Sequence, residues 1–172
     1  MWLFSFHACG LRMVDMMTLR WKDIDFANKE IRKVQVKTRN RNTIPLTEPA
    51  MHILQKWKGR NKVFVFDFLS ENFDLNDSEA IYLHHNSWNN TINTALRALS
   101  HEMGWKQDLT FHIARHTWAV LALARGAEVS EISRLLGHTS TGVTERVYAE
   151  FMPDSLASVV DKLGFDFMPN LD

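Results

Sequence analysis

Apolar residues recur at helical spacing over most of the chain and at a two-residue spacing over one short part of it. Residues 2–8 read as a helix end, broken by Cys9-Gly10. Leu11, Val14 and Met17 then mark a short amphipathic helix over 11–20, with Arg12 in its first turn and Asp15 one turn on. WKDIDF (21–26), a turn at Asn28-Lys29, and EIRKVQVK predict strand, turn, strand. Ile31, Val34 and Val36 are β-branched, and the two valines alternate with polar residues. Lys37 falls at the end of that strand, TRNRN is the next turn, and TIPL starts a return strand in which Pro45 suits a sheet edge. Asp23 and Asp25 are read as facing water.

Thr47 caps a helix running to Gly59, with Pro49 in its first turn and Met51, Leu54 and Trp57 as its buried stripe. KVFVF (62–66) reads as a short apolar strand, and 67–79 as an exposed acidic loop. A long helix follows over Ser87 to Glu102, with Trp88, Ile92, Ala95, Leu96 and Leu99 inward, ended by Gly104. Thr110 caps a helix over 112–125 that packs Ala114, Trp118, Leu121 and Ala122 inward, ended by Gly126. Ser130 starts a short helix closed by Gly137. Thr139 or Ser140 caps the next, which runs to Tyr148 or beyond and is stopped by Pro153. Leu156, Val159, Val160 and Leu163 form a last apolar stripe. The class is mainly α with a small antiparallel β-sheet (α+β).

Composition changes this picture little. At 172 residues, 45% hydrophobic and 23% charged, the chain fits one ordinary globular domain. The opening apolar run is shorter than the ~20 residues that span a bilayer, and no basic stretch precedes it as in a leader peptide. No membrane association is expected. Its abrupt start, with no cap before Trp2, fits a piece of a longer protein. A single cysteine, Cys9, makes no intrachain disulfide and fits the reducing cytoplasm. The net charge of +0 argues mildly against nucleic acid, but it is the sum of two opposed blocks. Arg32, Lys33, Lys37, Arg39 and Arg41 cluster without an acid, whereas Asp67, Glu71, Asp74, Asp77 and Glu79 cluster without a base.

The chemistry concentrates between Leu109 and Phe151, which hold His112, Arg115, His138 and Tyr148. Two guanidiniums, Arg12 and Arg115, could hold the non-bridging oxygens of a phosphodiester with paired donors. His138 could add a donor. Tyr148 could attack phosphorus with His112 as base, and Lys37 could protonate the leaving oxygen. No Walker A pattern is present, and a transesterification of this kind uses no cofactor and no metal. His112 and His116 stand four apart as in a zinc protease helix, but Ile113 occupies the position of that motif's glutamate. His116 is read as a core residue. His7, His52, His84, His85 and His101 receive no role.

Five motifs occur in order: GLRMVDMMTLRWKDID, VKTRNRNTIPL, HIARHT, LLGHTS, and a tyrosine ten residues after His138. Together they resemble the tyrosine recombinase (phage integrase) family over Gly10 to Phe151. The resemblance implies the catalytic-domain fold of that family, in 1–165 with a tail over 166–172, and a DNA-binding domain ahead of it that this chain lacks. It implies an active site of Arg12, Lys37, His112, Arg115, His138 and Tyr148, with Asp15 supporting Arg12, and DNA contacts from Lys33, Arg39 and Arg41. The activity implied is site-specific cleavage and rejoining of DNA through a covalent 3′-phosphotyrosine, for integration or excision of a mobile element. The partners implied are double-stranded DNA and further protomers, four on DNA in the full-length protein. A type IB topoisomerase-like relaxing enzyme and a non-catalytic DNA-binding regulator of the same fold are the alternatives.

Overall fold

Two left-handed residues, Cys9 and Gly10, turn the chain between its first helices, α1 (Trp2–His7) and α2 (Met13–Met17). The computed structural model describes residues 1–138 and 140–148. The expected C-terminal stripe from Leu156 to Leu163, the stop at Pro153, a cap at Thr139 and the tail over 166–172 lie outside the described residues. Arg12 is not in a first turn as expected. It is the extended N-cap of α2, which frees its side chain from the helix surface.

The sheet is three short antiparallel strands in the order β1 (Ile24–Asp25), β2 (Glu30–Val34) and β3 (Arg41–Pro45). Ile31 pairs with Ile44 across β2 and β3, and both are buried. Only part of the expected 21–26 strand forms, because Trp21–Asp23 coils into a 3-10 turn. Within that turn Asp23 is buried, contrary to expectation. It accepts from the Arg20 backbone and faces the Arg20 guanidinium, so its charge is met inside the protein. Asp25 instead folds back on its own turn, accepting from Ala27 and Asn28.

Strand parity also departs from the sequence reading. Ile31 sets the inward face of β2, and a two-residue period from it carries Lys33 and Gln35 inward. Val34 is left 48% exposed. Ile31 is fully buried, whereas Val36 packs only partly on the core and Val34 not at all, so Ile31 sets the parity.

α3 (Glu48–Trp57) is capped by the Thr47 hydroxyl, which accepts from the Ala50 backbone, and buries Leu54. The apolar 62–66 stretch is not a strand. It makes one bridge, Phe64 with Arg20; the Asn61 side-chain oxygen accepts from the Val63 and Phe64 amides, and the Val65 amide donates to the Leu19 carbonyl. Its Phe64, Val65 and Phe66 fill the main core with Phe4, Met16, Met17 and Leu19.

α4 (Ser78–Glu102) begins nine residues before the expected Ser87, because Asp77 caps it and Ile81 anchors the first turn. Trp88, Ile92 and Leu96 pack on the core, but Ala95 and Leu99 face solvent. α5 (Ile113–Ala124) starts from His112 with no side-chain cap, so Thr110 does not play that part; Thr110 contributes its carbonyl to the Ile113 amide. Leu121, expected inward, is exposed, and Ala119 and Leu123 take the buried positions. α6 (Val129–Leu136) is closed by left-handed Gly137, and α7 (Thr141–Tyr148) follows. Ala119, Leu123, Ile132, Leu136 and Tyr148 make a second, smaller core where α5, α6 and α7 meet. Among the described residues no helix is long and apolar enough to cross a membrane.

Candidate active site

Arg115, on the first turn of α5, is 5% exposed and is the hub of the site. Its Nη1 donates to the Gly10 carbonyl at 2.9 Å, and its Nη2 donates to the Leu136 carbonyl at 2.8 Å. Gly10 has to be glycine here. Its φ is +69°, and an added Cβ would stand 2.9 Å from the Arg115 Cα. Arg115 thus draws the α1–α2 turn and the end of α6 against α5. Burial pulls its pKa down to about 10, assisted by Arg12 and opposed by Tyr148 and Asp15. It stays charged at neutral pH.

Arg12 stands beside it. Its Nη1 donates to the Gln35 carbonyl oxygen at 2.6 Å and lies 3.9 Å from the Asp15 carboxylate. Among the described residues its Nε and Nη2 make no hydrogen bond to protein, which leaves that edge for a ligand. Burial lowers its pKa, against the pull of Asp15. Asp15 is fully buried, and its Oδ1 accepts from the Val36 backbone at 2.7 Å. Its Oδ2 has no hydrogen-bond partner among the described residues. Burial therefore raises the Asp15 pKa, with the Val36 amide, Lys33, Arg12 and Arg115 all working against that rise.

His138, just past Gly137, meets Arg115 with Nε2 at 2.9 Å and Thr144 Oγ1 with Nδ1 at 2.7 Å. Arginine only donates, so Nε2 is the bare nitrogen and Nδ1 carries the proton to Thr144. Burial, then Arg115 and Arg12, holds the His138 pKa down to about 4, so the ring is neutral at pH 7. In this state His138 accepts; it becomes a donor toward an anion only by taking up a proton.

His112 precedes α5, and its ring packs edge-on against His116 with centroids 4.6 Å apart. Partial burial, then His116 and the cations Arg115, Arg12 and Lys37, bring its pKa down to about 4 as well. It is a neutral base at pH 7. His116 is not sealed in the core as expected. It is half-buried and its ring also meets Tyr148, with centroids 5.6 Å apart. Tyr148 is 2% exposed, and burial raises its pKa, opposed by Arg115.

Arg12, Lys37, His112 and Arg115 line one cleft of about 510 Å³, and α4 adds His85 and Asn89 to its wall. His138 joins through Arg115, and Tyr148 approaches through His116. Lys37 is exposed on the β2–β3 turn, not on the strand itself. Arg39 and Arg41 are exposed nearby, Arg39 in a left-handed conformation. Lys33, expected as a DNA contact, is turned inward by strand parity. Its ammonium donates to the Thr18 carbonyl at 2.8 Å and lies 3.9 Å from Asp23. It is committed to the fold.

The sequence reading missed Gln35, Thr144, His85 and Asn89. Ile31 parity could have pointed to Gln35, and the four-residue step from His85 to Asn89 to the stripe facing the cleft. For Thr144, six residues past His138, no signal stood out.

Comparison with known proteins places this geometry. The tyrosine recombinase XerC-like protein of Caldanaerobacter subterraneus subsp. tengcongensis is 25% identical over 182 residues, covering 90% of this chain and 46% of that one. The crystal structure of XerA recombinase superposes with a TM-score of 0.64 at 20% identity, covering 94% of this chain and 56% of that one. The Tn1549 transposon integrase in complex with a circular intermediate DNA gives 0.63 at 18% identity, covering 94% and 56%. The fold is that of the tyrosine recombinase catalytic domain. The chain spans about half the length of the curated relatives it matches. Residues 4–153 match the phage integrase family, and the chain belongs to that family.

Proposed function

We propose that this chain is the catalytic part of a site-specific DNA recombinase that cuts and rejoins strands through Tyr148. The observation that carries the reading is the convergence of Arg12, Lys37, His112 and Arg115 on one cleft, with His138 hydrogen-bonded to Arg115. Such a cleft suits an anion that gains charge in its transition state.

The scissile phosphate lies between the free edge of Arg12 and Arg115. The Tyr148 oxygen attacks phosphorus and its proton passes to neutral His112. The P–O5′ bond breaks, and O5′ takes a proton from Lys37. One phosphodiester is exchanged for another, now a 3′-phosphotyrosine, so a second 5′-hydroxyl reverses the step without an energy source. His138 takes a proton from solvent as charge collects on the non-bridging oxygens and turns from acceptor to donor. Tyr148 starts neutral and packed on His116, so attack requires it to leave that packing. Arg39 and Arg41 meet flanking phosphates, which position the duplex without reading it. Double-stranded DNA and further protomers are the partners, and integration or excision of a mobile element is the task.

The test uses nicked suicide duplexes drawn from DNA flanking the gene. Wild type should leave a covalent protein–DNA band on a denaturing gel, and Tyr148→Phe should leave none. A band that survives Tyr148→Phe rejects the nucleophile. Relaxation of plasmids lacking any defined site would move the reading to a topoisomerase-like enzyme.

A further inference from the structure

The cations of the cleft come from distant parts of the chain, and something has to fix Lys37 relative to the arginines. Lys37 rides on an exposed turn, where an unrestrained lysine samples many rotamers. The residues on either side of it are nevertheless tied down. The Val36 amide donates to Asp15 at 2.7 Å, and the Thr38 hydroxyl donates to the Gln35 carbonyl oxygen at 2.7 Å. The turn is closed by Gln35 itself, whose amide donates to the Asn40 carbonyl and whose carbonyl accepts from Arg39.

The Gln35 side chain is 2% exposed and both of its polar ends are used. Its oxygen accepts from Arg12 as well as from Thr38, and its Nε2 donates to the Leu136 carbonyl at 3.3 Å. That same carbonyl accepts from Arg115. One neutral side chain therefore touches Arg12, the Lys37 turn and the acceptor that anchors Arg115. Gly137 is cut to fit it, since a Cβ there would fall on the Gln35 amide. A carboxylate of the same length would keep the Arg12 and Thr38 contacts but face Leu136 with a second acceptor. An apolar chain would lose all three.

We infer that Gln35 is a positioning residue that sets the Lys37 ammonium against the Arg12–Arg115 pair, so that the acid arrives at the leaving oxygen of the phosphate those arginines hold. This assignment rests on the strand-transfer reading above. Gln35 touches no reacting atom; it acts through the turn.

The experiment exploits the leaving group. In a suicide duplex whose scissile 5′-oxygen is replaced by sulfur, the P–S bond breaks to a thiolate. Thiols ionise near pH ~8.5, so that group leaves without an acid. General acids typically contribute about 10²–10⁴-fold. Gln35→Met should therefore cleave the oxygen substrate about 10²-fold more slowly than wild type, yet lose no more than about tenfold on the sulfur substrate. Gln35→Glu should stay within about tenfold of wild type on both, because the turn contacts survive. Thermal melting reports folding, and if Gln35→Met does not fold, Thr38→Val carries the test, with a smaller loss confined to the oxygen substrate. Equal losses on both substrates, or no loss, overturn the assignment to Gln35 alone. No adduct from wild type on either substrate overturns the strand-transfer reading and this assignment with it.

Discussion

Asp15→Asn separates what the buried carboxylate does for the site from what it does for the fold. At 3.9 Å and an effective dielectric of ~20, its attraction to Arg12 is about 4 kcal/mol. Against this stands the desolvation of a fully buried carboxylate, which costs several kcal/mol, with one oxygen left unpartnered. The two terms oppose each other at similar size. Asparagine keeps the oxygen that accepts from Val36, so the turn contact survives. Stability at pH 7 should change by less than about 1 kcal/mol in either direction.

The rate should not be spared. Without the charge behind it, Arg12 loses its brace, and the loss of one preorganised donor typically costs about 2.7–4 kcal/mol, or 10²–10³-fold in strand cleavage. The pH dependence carries a sign. Burial raises the folded Asp15 pKa above its ordinary 3.8, so the folded state holds that proton more tightly than the unfolded chain. The stability this group contributes is present below 3.8 and is lost as pH rises through the folded value. The asparagine variant should lack that decline. Urea unfolding from pH 3.5 to 7.5, beside adduct formation on the suicide duplex, measures both effects. A variant that loses more than about 2 kcal/mol of stability, or that cleaves at the wild-type rate, refutes the reasoning.

Gly137→Ala forces a left-handed alanine and drives its Cβ into the Gln35 amide, so stability should fall by roughly 2–4 kcal/mol in urea unfolding. His138 and His112, both held near pKa 4, take up protons in the unfolded chain first as pH falls from 6.5. The stability each contributes is complete above that value and lost on the way to 4. For the better buried His138, discounted for solvent screening, that amounts to roughly 2 kcal/mol, which the difference between wild type and His138→Gln across pH 4–7.5 should recover. Thr144→Val removes the acceptor of the His138 Nδ1 proton. The downfield imidazole proton resonance should disappear, with a stability loss of about 1–3 kcal/mol.

The candidate residues could be picked from the chain because they sit in short charge-bearing motifs, and the fold brings Arg12, Lys37, His112 and Arg115 to one cleft. Their supports were harder to read. Gln35 looked like the solvated member of an alternating strand, and Lys33 like a phosphate contact. The alternation of Val34 and Val36 left both positions facing outward, and the Lys33 contact came with the family resemblance, whereas the fully buried Ile31 turns both inward. The 62–66 stretch has the composition of a strand, but it forms only the bridge of Phe64 with Arg20, and Asn61 takes up the Val63 and Phe64 amides. The early start of α4 was hidden because a run of acids reads as loop unless Asp77 is seen to cap and Ile81 to dock. Strand parity and pairing partners are decided by tertiary contacts, and local composition carries little of either.

The bond from Arg115 to the Gly10 carbonyl spans 105 positions in sequence, and its second bond reaches the end of α6. Segments far apart in sequence that meet through a single guanidinium act as an interlock. A nascent or clipped copy lacking either segment has no seated hub, so the cation-lined cleft is complete only once the chain as far as Leu136 is in place.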